Sequence, residues 1–316
     1  MTTESQALTP FTASDRPAVV QVTNLTKVYR TGFWLNQRVT PLQECSLAVF
    51  QGETFGLLGQ NGAGKTTLLK TLLGIIRPTR GQGLLLGQPL GERSVKQRVG
   101  YLPENPYFYD YLTGWEFLQY TAGLFQIPHT VQKQRIPQLL EMVGLAESTA
   151  RRKPLRQYSK GMLQRVGMAQ ALINDPEVVF LDEPMSGLDP LGRYQVREII
   201  LSLKAEGKTI FFNSHVLSDV EAICDRIGIL AQGELIHSGS LPELLGTTQT
   251  YRVKVKNGSQ EILRQWLPDL EFQDGYWHGR LKGEPQDFLT SLRLMNAKLI
   301  SMQLARPSLE EFLWSK

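Results

Sequence analysis

The chain has 316 residues, a formal net charge of +4 and 41% hydrophobic residues, which is ordinary for a soluble globular protein and favours two domains. No run approaches 18 apolar residues, which excludes a membrane-spanning helix, and the two cysteines lie among apolar neighbours without a CxxC pair, which predicts core packing. The basic residues are scattered, with the tightest group at Arg151–Arg156, so no nucleic-acid partner is expected.

The first 17 residues are polar and lack the apolar region of a signal peptide, which predicts a mobile N-terminal tail over 1–17. From Ala18 the sequence alternates as strands do, and two further strand-type runs meet at Gln51-Gly52. The glycine-rich stretch "GQNGAGKTT" then precedes a predicted helix over Lys65–Ile76.

Apolar residues recur at three- and four-residue spacing between Tyr101 and Ile173, which predicts a helical region. "PEVVFLDEP" is a continuous apolar strand, followed by a predicted helix over Leu191–Glu206 and by the strand "KTIFFNSH". Strands that alternate with helices predict an α/β domain with a largely parallel sheet covered on both faces. Such sheets bind ligands at the carboxyl ends of their strands.

The character of the sequence changes near Gly246, where 241–249 is interpreted as a linker. The alternating run "YRVKVK" ends in the turn pair Asn257-Gly258, and a helix, two short strands, a helix over Pro285–Asn296 and a strand follow. The order β-α-β-β-α-β predicts a small α+β domain over 250–316, of the ferredoxin-like type.

The glycine-rich stretch fits G-x-x-x-x-G-K-[ST] at Gly59, Gly64, Lys65 and Thr66. The glycines let backbone N–H groups close around a polyphosphate, and the helix N-terminus adds partial positive charge. Lys65 can reach the β- and γ-phosphates, while the Thr66 hydroxyl can bind Mg²⁺. The alternative, a glycine-rich turn without a ligand, is disfavoured because the full pattern lies between a strand and a helix.

Two acids end the strand "VVFLDEP". Asp182 is placed to hold Mg²⁺, and Glu183 can orient or deprotonate an attacking water. Alone, the pair could simply cap a strand, but with the glycine-rich loop it predicts a nucleoside triphosphatase. The chain lacks the N-K-x-D motif that GTPases use to read their base.

A second phosphate-binding helix start lies in "YSKGMLQRVGMAQALINDP", where Ser159 opens a helix and Gly161 lies in its first turn. Six motifs follow one another along the chain: "GQNGAGKTT", "YLPEN", "YSKGMLQR", "VVFLDEP", "SGLDP" and "NSH". With these motifs in this order, Ala18–Gly239 resembles the nucleotide-binding subunit of an ATP-binding cassette (ABC) transporter. The resemblance implies a P-loop ATPase domain over 18–240, with a helical signature subdomain over about 105–173.

The resemblance also implies a biochemical role. ATP and Mg²⁺ would be the cofactors, and two chains would close over ATP as a homodimer or as a heterodimer with a similar ATPase. An integral-membrane permease would choose the substrate and hold this cytoplasmic chain at the inner face of the cell membrane. The chain would supply ATP hydrolysis for transport.

Residue roles follow from the same resemblance. The catalytic residues would be Lys65, Glu183 and the switch histidine His215, and the metal ligands would be Thr66, Glu104 and Asp182. ATP would contact a larger set: Tyr29, Gly59, Asn61, Gly62, Ala63, Gly64, Lys65, Thr66, Thr67, Glu104, Ser159, Gly161 and Asp189. Ser159, Gly161 and Asp189 would serve the opposite copy. Phe33 or Trp34 could replace Tyr29 against adenine.

Two departures from the family pattern are visible. Glu104 stands where the family has glutamine. The family's signature motif corresponds to Tyr158–Met162, with Lys160 and Met162 where Gly and Gln are usual. Both departures resemble exporters whose ATPase and permease are separate chains, some of which end much as "SLEEFL" does here. The rival classes are a soluble ABC ATPase that acts on nucleic acid or ribosomes, and a binding module with degraded motifs. The single cassette without heptads argues against the first, and the intact motifs argue against the second.

Eight aromatic residues lie between Glu104 and Ile127. Phe117, Tyr120 and Leu124 recur at helical spacing, which predicts that they face inward. The three aromatics of the preceding loop, Tyr107, Phe108 and Tyr109, are predicted to line a cleft that receives a permease helix. The alternative is that they pack the subdomain.

Overall fold

The computed structural model describes residues 16–32, 34, 36–245 and 250–305. Most of the predicted tail, Phe33, the end of the predicted linker and the "SLEEFL" segment lie outside the described residues. The chain divides into two compact units, Met1–Ser240 and Leu241–Lys316.

The first unit contains ten strands and seven α-helices among its described residues. The strands are β1 Ala18–Thr31, β2 Gln37–Phe50, β3 Thr54–Leu58, β4 Arg80–Leu85, β5 Gln88–Pro89, β6 Val99–Leu102, β7 Val178–Asp182, β8 Thr209–Ser214, β9 Arg226–Ala231 and β10 Glu234–Ser240. The helices are α1 Lys65–Leu72, α2 Gly114–Leu124, α3 His129–Met142, α4 Glu147–Arg152, α5 Lys160–Ala171, α6 Pro190–Ala205 and α7 Leu217–Ile223, with 3₁₀ turns at Ser94–Arg98 and Leu155–Gln157.

Two sheets organise this unit. An antiparallel sheet has the order β2-β1-β4-β5, and a six-stranded sheet has the order β10-β9-β3-β8-β7-β6. In the second sheet every pair is parallel except the edge pair β10–β9. All residues of β3, β7 and β8 are buried, as expected for parallel strands covered on both faces. The predicted α/β architecture is confirmed.

Helix α1 ends earlier than its predicted end at Ile76. Gly74 adopts a left-handed φ of 67°, and the N–H groups of Gly74 and Ile75 donate to the carbonyls of Thr71 and Lys70. A left-handed glycine that closes such bonds terminates a helix, although the apolar spacing continues beyond it.

The prediction that α2 turns Phe117, Tyr120 and Leu124 inward is wrong for two of the three. Phe117 is buried, whereas Tyr120 is 44% and Leu124 is 66% exposed. The buried stripe of α2 contains Leu118 and Ala122. Tyr120 and Leu124 each lie two positions further on, about 200° around the helix, so they face away from that stripe.

The second unit is a sheet covered by two helices on one face. After helix α8 Leu241–Leu245, which occupies the first part of the predicted linker, the elements are β11 Thr250–Lys256, α9 Gln260–Trp266, β12 Glu271–Gln273, β13 Tyr276–Leu281, α10 Pro285–Leu294 and β14 Lys298–Ala305. The sheet is antiparallel with the order β12-β13-β11-β14. Its apolar core joins inward strand residues to the helices: Val253, Val255, Leu263, Leu267, Leu281, Phe288 and Leu292.

No helix within the described ranges is long and apolar enough to cross a lipid bilayer.

Candidate active site

The candidate site lies where four neighbouring strands of the parallel sheet end. The glycine-rich loop follows β3, His215 follows β8, Glu183 follows β7, and Glu104 follows β6. Because the carboxyl ends of parallel strands meet at one edge, these four segments surround a single cleft of about 650 Å³. Its lining residues are Pro41, Gln60, Asn61, Gly62, Gly64, Lys65, Thr66, Thr67, Glu104, Glu183, Ser186 and His215.

The glycine-rich loop requires glycine at its final position. Gly64 has a φ of 107°, and a Cβ built there would lie 2.1 Å from the Pro41 carbonyl oxygen. A side chain is excluded on both counts, because the conformation is left-handed and the neighbouring atom is backbone. Gly64 is also the N-cap of α1, without any side-chain cap. The first N–H groups of α1 therefore open toward the cleft, as an anion site requires.

Lys65 is held inside the cleft. Its ammonium donates to the Gly59 carbonyl at 2.6 Å and lies 3.2 Å from Glu183 Oε1. Both side chains are buried, and a buried ammonium interacts strongly with opposite charge because water does not screen the pair. Lys65 is thus positioned at the point where the loop, the helix and the strand-end acid meet.

Glu183 adopts a strained backbone conformation. Its φ is 50°, in the left-handed region that non-glycine residues rarely occupy. Its N–H donates to the Asn213 carbonyl on the neighbouring strand. One carboxylate oxygen contacts Lys65, and the other lies 2.8 Å from His215 Nδ1. In this conformation the carboxylate lies in the cleft between the Lys65 ammonium and the His215 imidazole.

Asp182 lies beside Glu183 at the end of β7, where it is buried. Burial raises the pKa of its carboxyl group, and the charges of Glu104 and Glu183 raise it further, against the hydrogen bond that Asn213 donates. That bond is 2.7 Å long. A cation bound nearby would offset these effects, because an opposite charge favours the charged form of a buried carboxyl group.

The donor set fits a magnesium ion that is bound together with a polyphosphate. The described residues contain no group of three or more His, Cys, Asp or Glu side chains arranged to hold a metal. Mg²⁺ in nucleotide sites does not need such a group, because phosphate oxygens and waters complete its shell around one or two carboxylates. The Thr66 hydroxyl, Asp182 and Glu104 offer oxygen ligands at or beside the cleft.

Several residues predicted to contact ATP do not line this cleft. Gly59 and Ala63 belong to the loop but are not among the lining residues, and neither is Tyr29, a half-buried residue of β1 whose ring lies 4.9 Å from the Lys27 ammonium. Ser159 and Asp189 are exposed helix caps elsewhere in the unit, bonding to the N–H groups of Met162 and Gly192.

Sequence reasoning missed three lining residues. Gln60 lies inside the glycine-rich stretch, and Ser186 follows Glu183 by three positions, so the spacing of the motifs could have indicated both. Pro41 belongs to β2 of the other sheet. It is brought to the cleft by packing alone, and no local pattern indicates it.

Two ion pairs made by one buried aspartate join helix α6, which follows Asp189, to helix α7, which follows His215. Asp219 on α7 is buried and contacts Arg193 on α6 at 2.5 Å and Arg197 at 3.2 Å. Asp189 caps the helix that carries both arginines, and His215 precedes the helix that carries Asp219. These two ion pairs therefore link the helices that follow Asp189 and His215.

Residues 42–186 match the family model described as ABC transporter. An uncharacterised ABC transporter ATP-binding protein of Nostoc sp. is 69% identical over 96% of this chain and 90% of its own length. A bacitracin transport ATP-binding protein of Enterococcus faecalis is 39% identical over 81% of this chain and 82% of its own. The solved structure of an ATP-binding subunit of an ABC transporter superposes with a TM-score of 0.62, 31% identity, and coverage of 72% of this chain and 91% of the other.

Proposed function

This chain belongs to the family of ABC transporter ATP-binding proteins and is an ATP-hydrolysing subunit that powers a transporter; from this premise we propose a role for each residue of the cleft in ATP hydrolysis and in its coupling to transport. Two copies close over ATP, hydrolysis reopens them, and the motion drives a separate permease in the direction of export. The proposal rests on one observation: beside the glycine-rich loop, the Glu183 carboxylate contacts both the Lys65 ammonium and the His215 imidazole.

The cleft divides the chemical work among its residues. The loop N–H groups and Lys65 bind the β- and γ-phosphates and neutralise charge that develops on them. Glu183 accepts a proton from the attacking water as that water bonds to the γ-phosphorus and the bond to the bridging oxygen breaks. His215 keeps the Glu183 carboxylate oriented and contacts the γ-phosphate. A magnesium ion held by Thr66, Asp182 and Glu104 would neutralise charge on the β- and γ-oxygens.

The location of the signature residues supports a two-copy site. Ser159 is exposed and caps α5, and neither it nor Gly161 lines the cleft of its own chain. We infer that they bind the γ-phosphate in a second copy, with Asp189 crossing between the copies. Each ATP would then need Lys65 from one chain and Ser159 from another.

This assembly gives the test of the proposed function. The Glu183→Gln protein is expected to form dimers with ATP and to return to monomers when ATP is removed, because bound ATP joins the two copies and the variant cannot consume it. Size-exclusion chromatography with light scattering measures the change. A Glu183→Gln/Ser159→Arg protein is the matched control, since its cleft is intact and its signature surface is blocked. Dimers that form equally with and without ATP, or in the control, would refute the two-copy site.

The loop before α2 is the proposed permease contact. Tyr107 is 87% and Tyr109 is 49% exposed, and their rings meet edge to face at 6.2 Å. The prediction that Phe108 shares this surface is wrong, because Phe108 is buried and packs edge to face on Phe117 at 5.2 Å. We therefore propose a docking surface that contains Tyr107 and Tyr109 and holds the chain at the inner face of the membrane.

Replacing Tyr107 and Tyr109 with Ala is expected to abolish co-purification with the permease while leaving ATPase activity and melting temperature near wild type. Large exposed aromatics contribute strongly to binding and little to folding. Tyr194→Ala is the control, because it removes another exposed tyrosine outside the proposed docking surface and should leave permease binding unchanged. Phe108→Ala should instead lower the melting temperature. A double variant that unfolds earlier yet still binds the permease would contradict the docking assignment.

A further inference from the structure

The sheet of the second unit has one face that its helices leave open. Residues alternate across a strand, so the neighbours of the buried Val253 and Val255 on β11 point away from α9 and α10. The strand pairing extends this face across the sheet. The open face consists of Arg252, Lys254, Lys256, Glu271, Gln273, Tyr276, His278, Arg280, Lys298, Ser301 and Gln303.

The charge of the open face is strongly one-sided. Five of its eleven residues are lysine or arginine, and Glu271 is its one carboxylate. Arg252, Lys256 and Lys298 are exposed. These five cations lie on one face of a single sheet, which gives a local positive potential.

The register places like charges directly opposite each other. Arg252 pairs with Arg280 across β11 and β13, and Lys256 pairs with Lys298 across β11 and β14. Directly opposed like charges destabilise a sheet. Only Arg280 of these four has a carboxylate described beside it, Asp269 at 3.7 Å. These opposed pairs do not stabilise the fold, whereas an anionic partner would relieve their repulsion.

We propose that the open face binds the anionic phospholipid surface of a membrane. The cations form a two-dimensional array whose Cα atoms are spaced by about 4.8 Å between strands and about 6.8 Å between alternate residues of one strand. Such an array can contact many mobile headgroups at once. Ile300 is 44% exposed at the bulge of β14 beside them. Polybasic surfaces are attracted to anionic leaflets in this way, without recognition of one headgroup.

A nucleic acid is the less suitable anion for this face. Sheets that bind single strands stack bases on exposed aromatic rings. The open face carries two aromatic rings, Tyr276 and His278. The Tyr276 ring is covered by the ammonium groups of Lys254 at 4.2 Å and Lys256 at 6.0 Å. The exposed Phe272 instead packs on Trp277 at 4.6 Å, and both occupy inward positions of their strands. Among the described residues the open face therefore leaves His278 as its one uncovered ring, whereas sheets that bind single strands stack two or three bases.

The experiment uses the full chain without permease. We expect it to co-sediment with vesicles of phosphatidylcholine and phosphatidylglycerol, not with phosphatidylcholine alone, and to dissociate as salt rises. Lys256→Gln/Lys298→Gln should weaken this binding about 25-fold, at about fivefold per cation, and should leave the melting temperature unchanged or higher because it removes an opposed pair. The charge-matched control is Arg264→Gln/Arg293→Gln on the helices.

Three results would overturn the proposal: no binding to either vesicle, equal loss in the helix control, or tighter binding of DNA or RNA through the same two lysines at the same salt. The proposal that the open face binds a membrane depends on the proposed function in one respect, that the chain works at a membrane. Basal ATPase activity measured on the same variants should equal that of the wild type, so a failure here is distinguishable from a failure of the nucleotide site.

Discussion

Replacing Glu183 with Gln is expected to lower ATP turnover by about 10²–10⁴-fold, the usual contribution of a general base, and to leave ATP binding near the wild-type level. Glutamine has the same shape and can still bond to His215 and Lys65, but it cannot accept the proton of the attacking water. The left-handed backbone at this position is no harder for glutamine than for glutamate. Phosphate release and nucleotide titration of the purified chain measure the two effects separately.

The control for this prediction is Glu177→Gln. It makes the same chemical change at the other end of β7, where the side chain is half exposed and pairs with Arg98. An exposed pair contributes little to stability, so turnover should be unchanged. If Glu183→Gln hydrolysed ATP at the rate of this control, Glu183 would not be the base.

Most of the cleft could be predicted from sequence because its residues follow strands directly. Glu183 and His215 directly follow a fully buried strand, and Gly64 and Lys65 follow one within seven positions. Parallel strands place such positions at one edge whatever their order in the sheet. Pro41 could not be predicted in this way, since it comes from a different sheet and reaches the cleft only through packing.

The aromatic region shows where periodicity fails. Helix α2 reads "GWEFLQYTAGL", with apolar or aromatic residues on most of its circumference, so several stripes fit the helical spacing equally well. Which stripe is buried depends on where the neighbouring helices pack. The same limit applies to the loop before α2, where Phe108 packs inward and Tyr107 does not.

In the second unit, alternation along "YRVKVK" predicts which residues lie on the same side of the sheet. It does not predict which residues lie opposite them on the neighbouring strands. The opposition of Lys256 to Lys298 depends on the register of strands about 40 residues apart, and a one-residue slip would remove it. Register is set by the buried residues of the sheet, so the charged face becomes visible only in the folded chain.

Replacing Lys65 with Ala is expected to weaken ATP binding roughly 100-fold or more, since truncating one partner of a buried, hydrogen-bonded charge pair costs about 3 kcal/mol. The loss is limited because Lys65 already bonds to Gly59 and Glu183 before it meets phosphate, and those contacts must be exchanged for the new ones. Titration with a fluorescent ATP analogue measures the affinity. Lys70→Ala, on the same helix but away from the cleft lining, should bind nearly as wild type.

Lys65→Ala also has an expected effect on the protein without nucleotide. It leaves the buried Glu183 carboxylate with His215 but without its ammonium partner, which should lower the free energy of unfolding by about 1–3 kcal/mol. Adding Glu183→Gln removes the uncompensated charge, so the double variant should be more stable than Lys65→Ala alone. Thermal denaturation of the two single variants and the double variant measures this coupling. If the two effects simply added, the 3.2 Å contact between Lys65 and Glu183 would carry no energy, and Lys65 would hold the loop through Gly59 alone.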